Sequence, residues 1–191
     1  MTKFQHQPVM VKEVLEYLSP KDGGIYVDGT LGGGGHARAL LEELSANSCQ
    51  LSAKIIGIDC DLEAIFAAKK NLGEFENQII FIHDNFSNLP AILKSQGIEK
   101  VNFILLDLGV SSHQLDNPQR GFSFQTDAPL DMRMNQCNDL TAGKIINFYD
   151  EKNWRIYFIN MVKNDIVAKL LEKLLKAGDS PLLARFERLA N

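Results

Sequence analysis

Four aspartates, Asp28, Asp59, Asp84 and Asp107, each stand at or just past the end of a short apolar run. The runs cover residues 25–27, 54–58, 79–82 and 101–106. A carboxylate in such a place can accept hydrogen bonds from ligand hydroxyls or amines, or take up a proton during a reaction. A single aspartate there is ordinary turn chemistry. Four in succession, the first leading into a glycine-rich turn, are hard to assign to turns alone. That turn reads Asp28-Gly29-Thr30-Leu31-Gly32-Gly33-Gly34-Gly35-His36, five glycines in seven residues after Asp28. Glycine lets the backbone take positive φ and approach a ligand with no Cβ in the way. The pattern after His36 is helical, with Ala37, Leu40, Leu41 and Leu44 on one face. The free N–H groups at the start of that helix would face a negatively charged ligand group.

The elements that must hold these residues follow from periodicity. A helix is predicted to run from the neighbourhood of Pro8 to Leu18, with Val11, Val14 and Leu15 apolar, and Pro8 suited to its first turn. Each of the four apolar runs is continuous rather than alternating, as expected of parallel strands covered by helices on both faces. The spacing between runs leaves room for one crossover helix each: to about Leu44, over 62–71, and over 90–96. All four aspartates then fall on the C-terminal edge of one open parallel sheet, the edge where such sheets bind ligands. Asp59, at the second tip, has the place of an acid that accepts from ribose hydroxyls. Phe86, after the third run, suits either adenine contact or core packing. The segment from Asp107 to about residue 135 is too long for a plain connector, and its aromatics argue against disorder.

Composition narrows the class. The chain has 191 residues, 45% hydrophobic and 23% charged, with a formal net charge of −4. These are globular values with no general attraction to nucleic acid, so any RNA contact needs a local surface. Cys49, Cys60 and Cys137 lack metal-ligand spacing and read as reduced thiols, which points to the cytoplasm. No metal site is expected. No run approaches the roughly 20 apolar residues of a membrane span, and no membrane partner is expected.

The motifs taken together resemble one family. His6-Gln7-Pro8-Val9-Met10, the glycine turn, Gly57-Ile58-Asp59-Cys60-Asp61, Asn85-Phe86-Ser87-Asn88-Leu89, Leu105-Leu106-Asp107-Leu108-Gly109-Val110-Ser111-Ser112, Arg120-Gly121-Phe122-Ser123-Phe124 and Pro129-Leu130-Asp131-Met132-Arg133-Met134 occur in its order. They are similar to the ribosomal RNA small-subunit methyltransferase H family, also called MraW, over about residues 5–135. The resemblance implies a class I methyltransferase (Rossmann-like) α/β fold, S-adenosylmethionine as cofactor, small ribosomal subunit RNA as partner, and N4 of a cytidine in the decoding region as target. It implies cofactor contacts from Gly34, Gly35, His36, Asp59, Phe86, Asp107 and Gln114. Asp107 is also the candidate acceptor for the reacting amine. Phe122 and Phe124 are of a kind to stack on the base. Arg120 and Arg133 either hold phosphates or form internal ion pairs with Asp127 or Asp131.

The likeness weakens after residue 138. Residues 1–138 form the expected cofactor-binding domain, and residues 139–191 read as a helical segment, with helices over 140–149, 152–162, 165–177 and 181–190. The family's Tyr-Gly-Glu segment is replaced by Ile159-Asn160-Met161-Val162-Lys163, and its later strands are not in the sequence. The sheet is therefore expected to be incomplete, with strand order three-two-one-four and the apolar run 101–106 at an edge. An apolar edge invites pairing. Its cover is either the C-terminal helices, whose Ile166, Leu170, Leu171, Leu174 and Leu175 form an apolar stripe at helical spacing, or a second copy of the chain, and a homodimer is the favoured expectation. Two function classes stay open here: an active methyltransferase, or a relative that binds the cofactor or an assembly partner without turnover.

Overall fold

The computed structural model describes residues 8–47, 52–123 and 125–148. The chain divides into two compact units, Met1–Lys144 and Ile145–Asn191, a few residues after the expected boundary. The expected helices past residue 148, Phe124, and the stripe from Ile166 to Leu175 lie outside the described residues. Among those described, no helix is long and apolar enough to cross a membrane, and no group of His, Cys, Asp and Glu side chains is arranged to hold a metal.

The first unit is built on four parallel strands in the order β3-β2-β1-β4. They are β1 (Ile25–Asp28), β2 (Lys54–Asp59), β3 (Ile79–His83) and β4 (Phe103–Leu105). Register places Val27 beside Ile56 and Ile104, and Ile56 beside Ile80. Strand alternation sorts the core into two layers. Tyr26 and Ile55 face one way, onto α1 (Val11–Leu18), α2 (Gly35–Asn47) and α3 (Leu62–Asn71), through Leu18, Leu40, Leu41, Leu44, Ile65 and Leu72. Val27, Ile56 and Ile58 face the other way, onto Leu89 and Ile92 of α4 (Leu89–Ser95). Covering helices on both faces explain why the interior of each strand is apolar. The predicted face of α2 is the buried one: Ala37, Leu40, Leu41 and Leu44 are each at most 3% exposed.

Three expectations change. Pro8 is not in the first turn of α1, which begins at Val11 after Met10 in the left-handed region (φ 54°). Pro8 instead packs on Gly35, where an added Cβ would lie 2.8 Å from its ring. The fourth strand is shorter than the run 101–106, and contacts of another kind flank it. The Ile25 N–H donates to the Asn102 side chain at 2.7 Å, and the Asp107 N–H to Thr30 Oγ1 at 2.7 Å. The long segment after Asp107 is also not irregular throughout. It holds α5 (Ser112–Asp116), opened by a reciprocal cap between Ser111 and Gln114, and the 3-10 turn Pro118–Arg120.

Gly34 shows why the turn before α2 is specific. Its φ is +81°, and a Cβ there would lie 2.6 Å from Cδ1 of Leu72, the residue that ends α3. Gly34→Ala should therefore destabilise the fold by roughly 2–4 kcal/mol, combining left-handed strain with overpacking. Urea unfolding measures this; a loss below about 1 kcal/mol would show that α3 yields freely at Leu72.

Candidate functional site

The strand order reverses direction at β1, whose neighbours β2 and β4 lead to opposite sides of the sheet. The crevice above such a point is where open α/β sheets take their ligands. Here the turn after β1 is suspended across it. The Gly29 N–H donates to the Leu105 carbonyl of β4 at 2.9 Å. The Leu31 N–H donates to the Ile58 carbonyl of β2 at 2.9 Å, and the Gly32 N–H to Asp59 Oδ2 at 2.8 Å. Leu31 reaches that place because Gly57 below it has no Cβ, which would lie 2.8 Å from the leucine side chain.

A cavity of about 330 Å³ opens over this turn. Its floor is the glycine turn with Gly35 and His36, and its walls include Asp59, Cys60, Asn85, Phe86, Asp107 and Gln114. The rim carries Val9, Leu108 and Val110, all exposed. Of the residues expected at a cofactor, Gly35, His36, Asp59, Phe86, Asp107 and Gln114 thus come together. Gly34 does not: its α-carbon faces Leu72, so its role is helix packing. Thr30, Cys60, Asn85 and Ser111 also line the space and had no role assigned from sequence. The Asp-Gly-Thr string placed Thr30 in the turn, but nothing in it foretold the bond to Asp107.

Asp59 is mostly buried, and burial pushes its pKa up. Two backbone donors oppose that shift, since Asp61 N–H reaches Oδ1 and Gly32 N–H reaches Oδ2, each at 2.8 Å. A carboxylate offers about four acceptor positions, so each oxygen retains capacity for a ligand hydroxyl. Asp107 is exposed at the mouth. Its backbone, unlike its side chain, is fixed by Thr30. His36 is nearly buried, and its Nε2–H donates to the Val9 carbonyl at 2.8 Å, which ties the chain before α1 to the cavity floor. Burial raises the Cys60 thiol to about 11, which disfavours the reactive thiolate. Asp84 caps its own loop through Asn85 N–H and Asn88 Nδ2 and stays outside the cavity lining.

The two arginines take the internal option, in part with unforeseen partners. Arg133 grips Asp131 through Nε and Nη2, both at 2.7 Å, and this fork holds the Asp131 carboxyl below the usual range. Arg120 is 1% exposed and pairs with Asp61 at 2.7 Å and Glu63 at 2.9 Å, not with Asp127 or Asp131. With its guanidinium enclosed, Arg120 has no face to offer a phosphate, which corrects the phosphate expectation. Phe122 is half-buried and does not line the cavity.

Residues 3–178 match the model of the MraW methylase family. The chain belongs to the MraW methylase family. A ribosomal RNA small subunit methyltransferase H from Clostridium botulinum strain Loch Maree is 47% identical over 181 residues, 94% of this chain and 57% of the relative. One from Geobacter sulfurreducens is 50% identical over 188 residues, 92% of this chain and 59% of the relative. The chain therefore spans little more than half the length of these relatives. Among solved structures, a protein-L-isoaspartate O-methyltransferase overlaps 55% of this chain and 30% of its own at 15% identity, with a TM-score of 0.41. That overlap is too slight to argue from, so the fold assignment rests on strand order and the family match.

Asp28 closes β1 at 4% exposure, with Oδ1 accepting from Thr30 N–H at 3.2 Å and Oδ2 without a hydrogen-bond partner. Burial raises its pKa from 3.8 to about 7. The folded chain then holds a proton that the unfolded chain releases, so stability falls as pH rises from about 4 to about 7 and is lowest above that. Asp28→Asn removes this titration and should flatten the melting temperature against pH across that window. Parallel curves for variant and wild type would show that Asp28 ionises normally.

Proposed function

We propose that the cavity over the glycine turn binds S-adenosylmethionine, and that the protein uses it to methylate N4 of a cytidine in small-subunit ribosomal RNA. The observation that carries this reading is the convergence of Asp59 and Asp107 with the turn on one cavity, in a chain of a methylase family. The names of the relatives supply the RNA class. The resemblance noted from the motifs supplies the cytosine amine.

When bound, the cofactor supplies an electrophilic methyl group on a positively charged sulfur. Everything else falls to the chain. Asp59 accepts from the ribose hydroxyls with the lone pairs that Gly32 and Asp61 leave free. Phe86 lies on the wall where the adenine ring would rest. The cytosine amino lone pair is delocalised into its ring and attacks poorly, so alignment does most of the work. Asp107, whose backbone is held above the turn by Thr30, would accept a hydrogen bond from the amine and take its proton as the new N–C bond forms and the methyl–sulfur bond breaks, its electron pair going to sulfur. Leu108 and Val110, exposed on the rim, are better placed than Phe122 to flank the base.

Two substitutions separate binding from transfer. Asp59→Asn should weaken calorimetric affinity for S-adenosylmethionine by on the order of 1.5–3 kcal/mol, while Asp107→Asn should bind it and lose rate. Methyl transfer to undermodified small ribosomal subunits is the readout. Wild-type rate in Asp107→Asn would remove the acceptor role, and binding without any transfer by the wild-type chain would favour a non-catalytic relative.

We also propose a homodimer. Among the described residues β4 pairs with β1 alone, and an apolar edge strand favours pairing with a second copy. Sedimentation at micromolar concentration should give a dimer; a monomer would remove the proposal.

A further inference from the structure

The cavity wall has a hidden side. Behind Cys60, Ser111, Gln114 and Met134, which face the cavity, lies a cluster organised on one buried carboxylate. Asp61, 3% exposed, caps α3 by accepting from Glu63 N–H at 3.0 Å. Its other oxygen accepts from Gln114 Nε2 at 2.9 Å and Arg120 Nη2 at 2.7 Å. Arg120 also donates to Glu63 Oε2 at 2.9 Å and to the carbonyls of Arg133 and Met134 at 3.0 Å each. Four stretches of chain meet there: the β2–α3 turn, α5, the 3-10 turn, and residues 133–134. The backbone supports the meeting. Gly121, at φ +70°, reverses the chain next to Arg120, where a Cβ would lie 2.5 Å from the Pro129 carbonyl. The Met132 N–H then returns to the Arg120 carbonyl at 3.0 Å.

Stability is a poor reason for such a cluster. A buried ion pair loses about as much in desolvation as it gains in attraction, and apolar replacements are often as stable. Arg120 Nε is in addition buried without a partner, a further cost. What the cluster provides is geometry. The planar fork of arginine reaches carboxylates and carbonyls in fixed directions that no apolar side chain reproduces. Of the stretches it joins, the β2–α3 turn, α5 and residues 133–134 each contribute a residue to the cavity lining, and the 3-10 turn carries Arg120 itself.

We propose that Arg120 is a positioning residue for the cavity: it holds α5 and residues 133–134 against the β2–α3 turn and so fixes the distance between the Asp59 wall and the loop wall. The inference rests on reading the cavity as the S-adenosylmethionine site. It goes beyond that reading by assigning the fit of the site to a residue that touches no ligand.

The test uses the full chain and two backgrounds. Arg120→Met leaves Asp61 charged and unpaired, so a fall in melting temperature is expected and decides nothing alone. Adding Asp61→Asn removes the stranded charge while keeping a good cap for α3, and the double variant should recover the melting temperature. It should nevertheless bind S-adenosylmethionine at least about tenfold more weakly, roughly 1.4 kcal/mol. Amides of residues 111–134 should also exchange faster than in wild type while those of β1 to β3 keep their protection. A double variant with wild-type affinity and wild-type loop protection would overturn the proposal. If the double variant does not fold, Arg120→Lys decides, since it keeps a positive charge beside Asp61 but gives up the fork: weaker binding with faster loop exchange supports the proposal, and wild-type values of both refute it. A wild-type chain that binds no S-adenosylmethionine would sink the reading of the cavity; loop exchange without ligand would then decide the role of Arg120 by itself.

Discussion

The hydrogen bond from Gly32 N–H to Asp59 Oδ2 is the contact on which the site depends. It joins the turn after β1 to the tip of β2, and through that turn to β4, whose Leu105 carbonyl accepts from Gly29. Three strand ends are thereby locked into one surface before any ligand arrives. The same bond favours the charged form of a carboxylate whose pKa burial raises, and the Asp61 N–H acts in the same sense. Fold and site are in this way parts of one hydrogen-bond network: a change that loosens the turn also alters the acid.

Much of this could be read from the residues. Continuous apolar runs gave the parallel sheet and its covering helices, because strands buried on both faces have no polar side to display. The register of α2 followed from the spacing of Ala37, Leu40, Leu41 and Leu44, all of which are buried. The placing of Asp28, Asp59 and Asp107 at one edge of the sheet followed from strand direction alone, though only Asp59 and Asp107 line the cavity. Local competition was harder to see. The ends of β4 were misjudged, and beside them the Asn102 side chain and Thr30 Oγ1 accept from N–H groups that a periodicity argument assigns to the strand or leaves free. Gly34 looked like a ligand contact because a glycine needed for helix packing and one needed for ligand approach are the same letter.

The arginines show the limit of reading by neighbourhood. Arg133 bonds Asp131, two positions away, and local pairing of that kind can be guessed. Arg120 pairs with Asp61 and Glu63, nearly sixty residues earlier, on an element whose contact with the loop is fixed only by the tertiary fold. Asp61 caps α3, a role common for an aspartate directly before a helical run. Nothing in that local pattern shows that it also receives an arginine and a glutamine. Buried polar clusters join distant segments, and their membership is a three-dimensional fact.

The lining of the cavity has a consequence for which nucleotides it admits. A strand, a glycine turn and a helix start are the apparatus with which many α/β proteins hold pyrophosphate, whose negative charge the helix terminus welcomes. Among the described residues, the formally charged groups of the lining are two carboxylates, Asp59 and Asp107, with no lysine or arginine. A dinucleotide brought to this turn would find the backbone donors it needs and a field of the wrong sign. The scaffold is shared with phosphate-binding proteins, but on the proposed reading of this cavity its charge suits a cationic adenosine derivative better than a phosphorylated one.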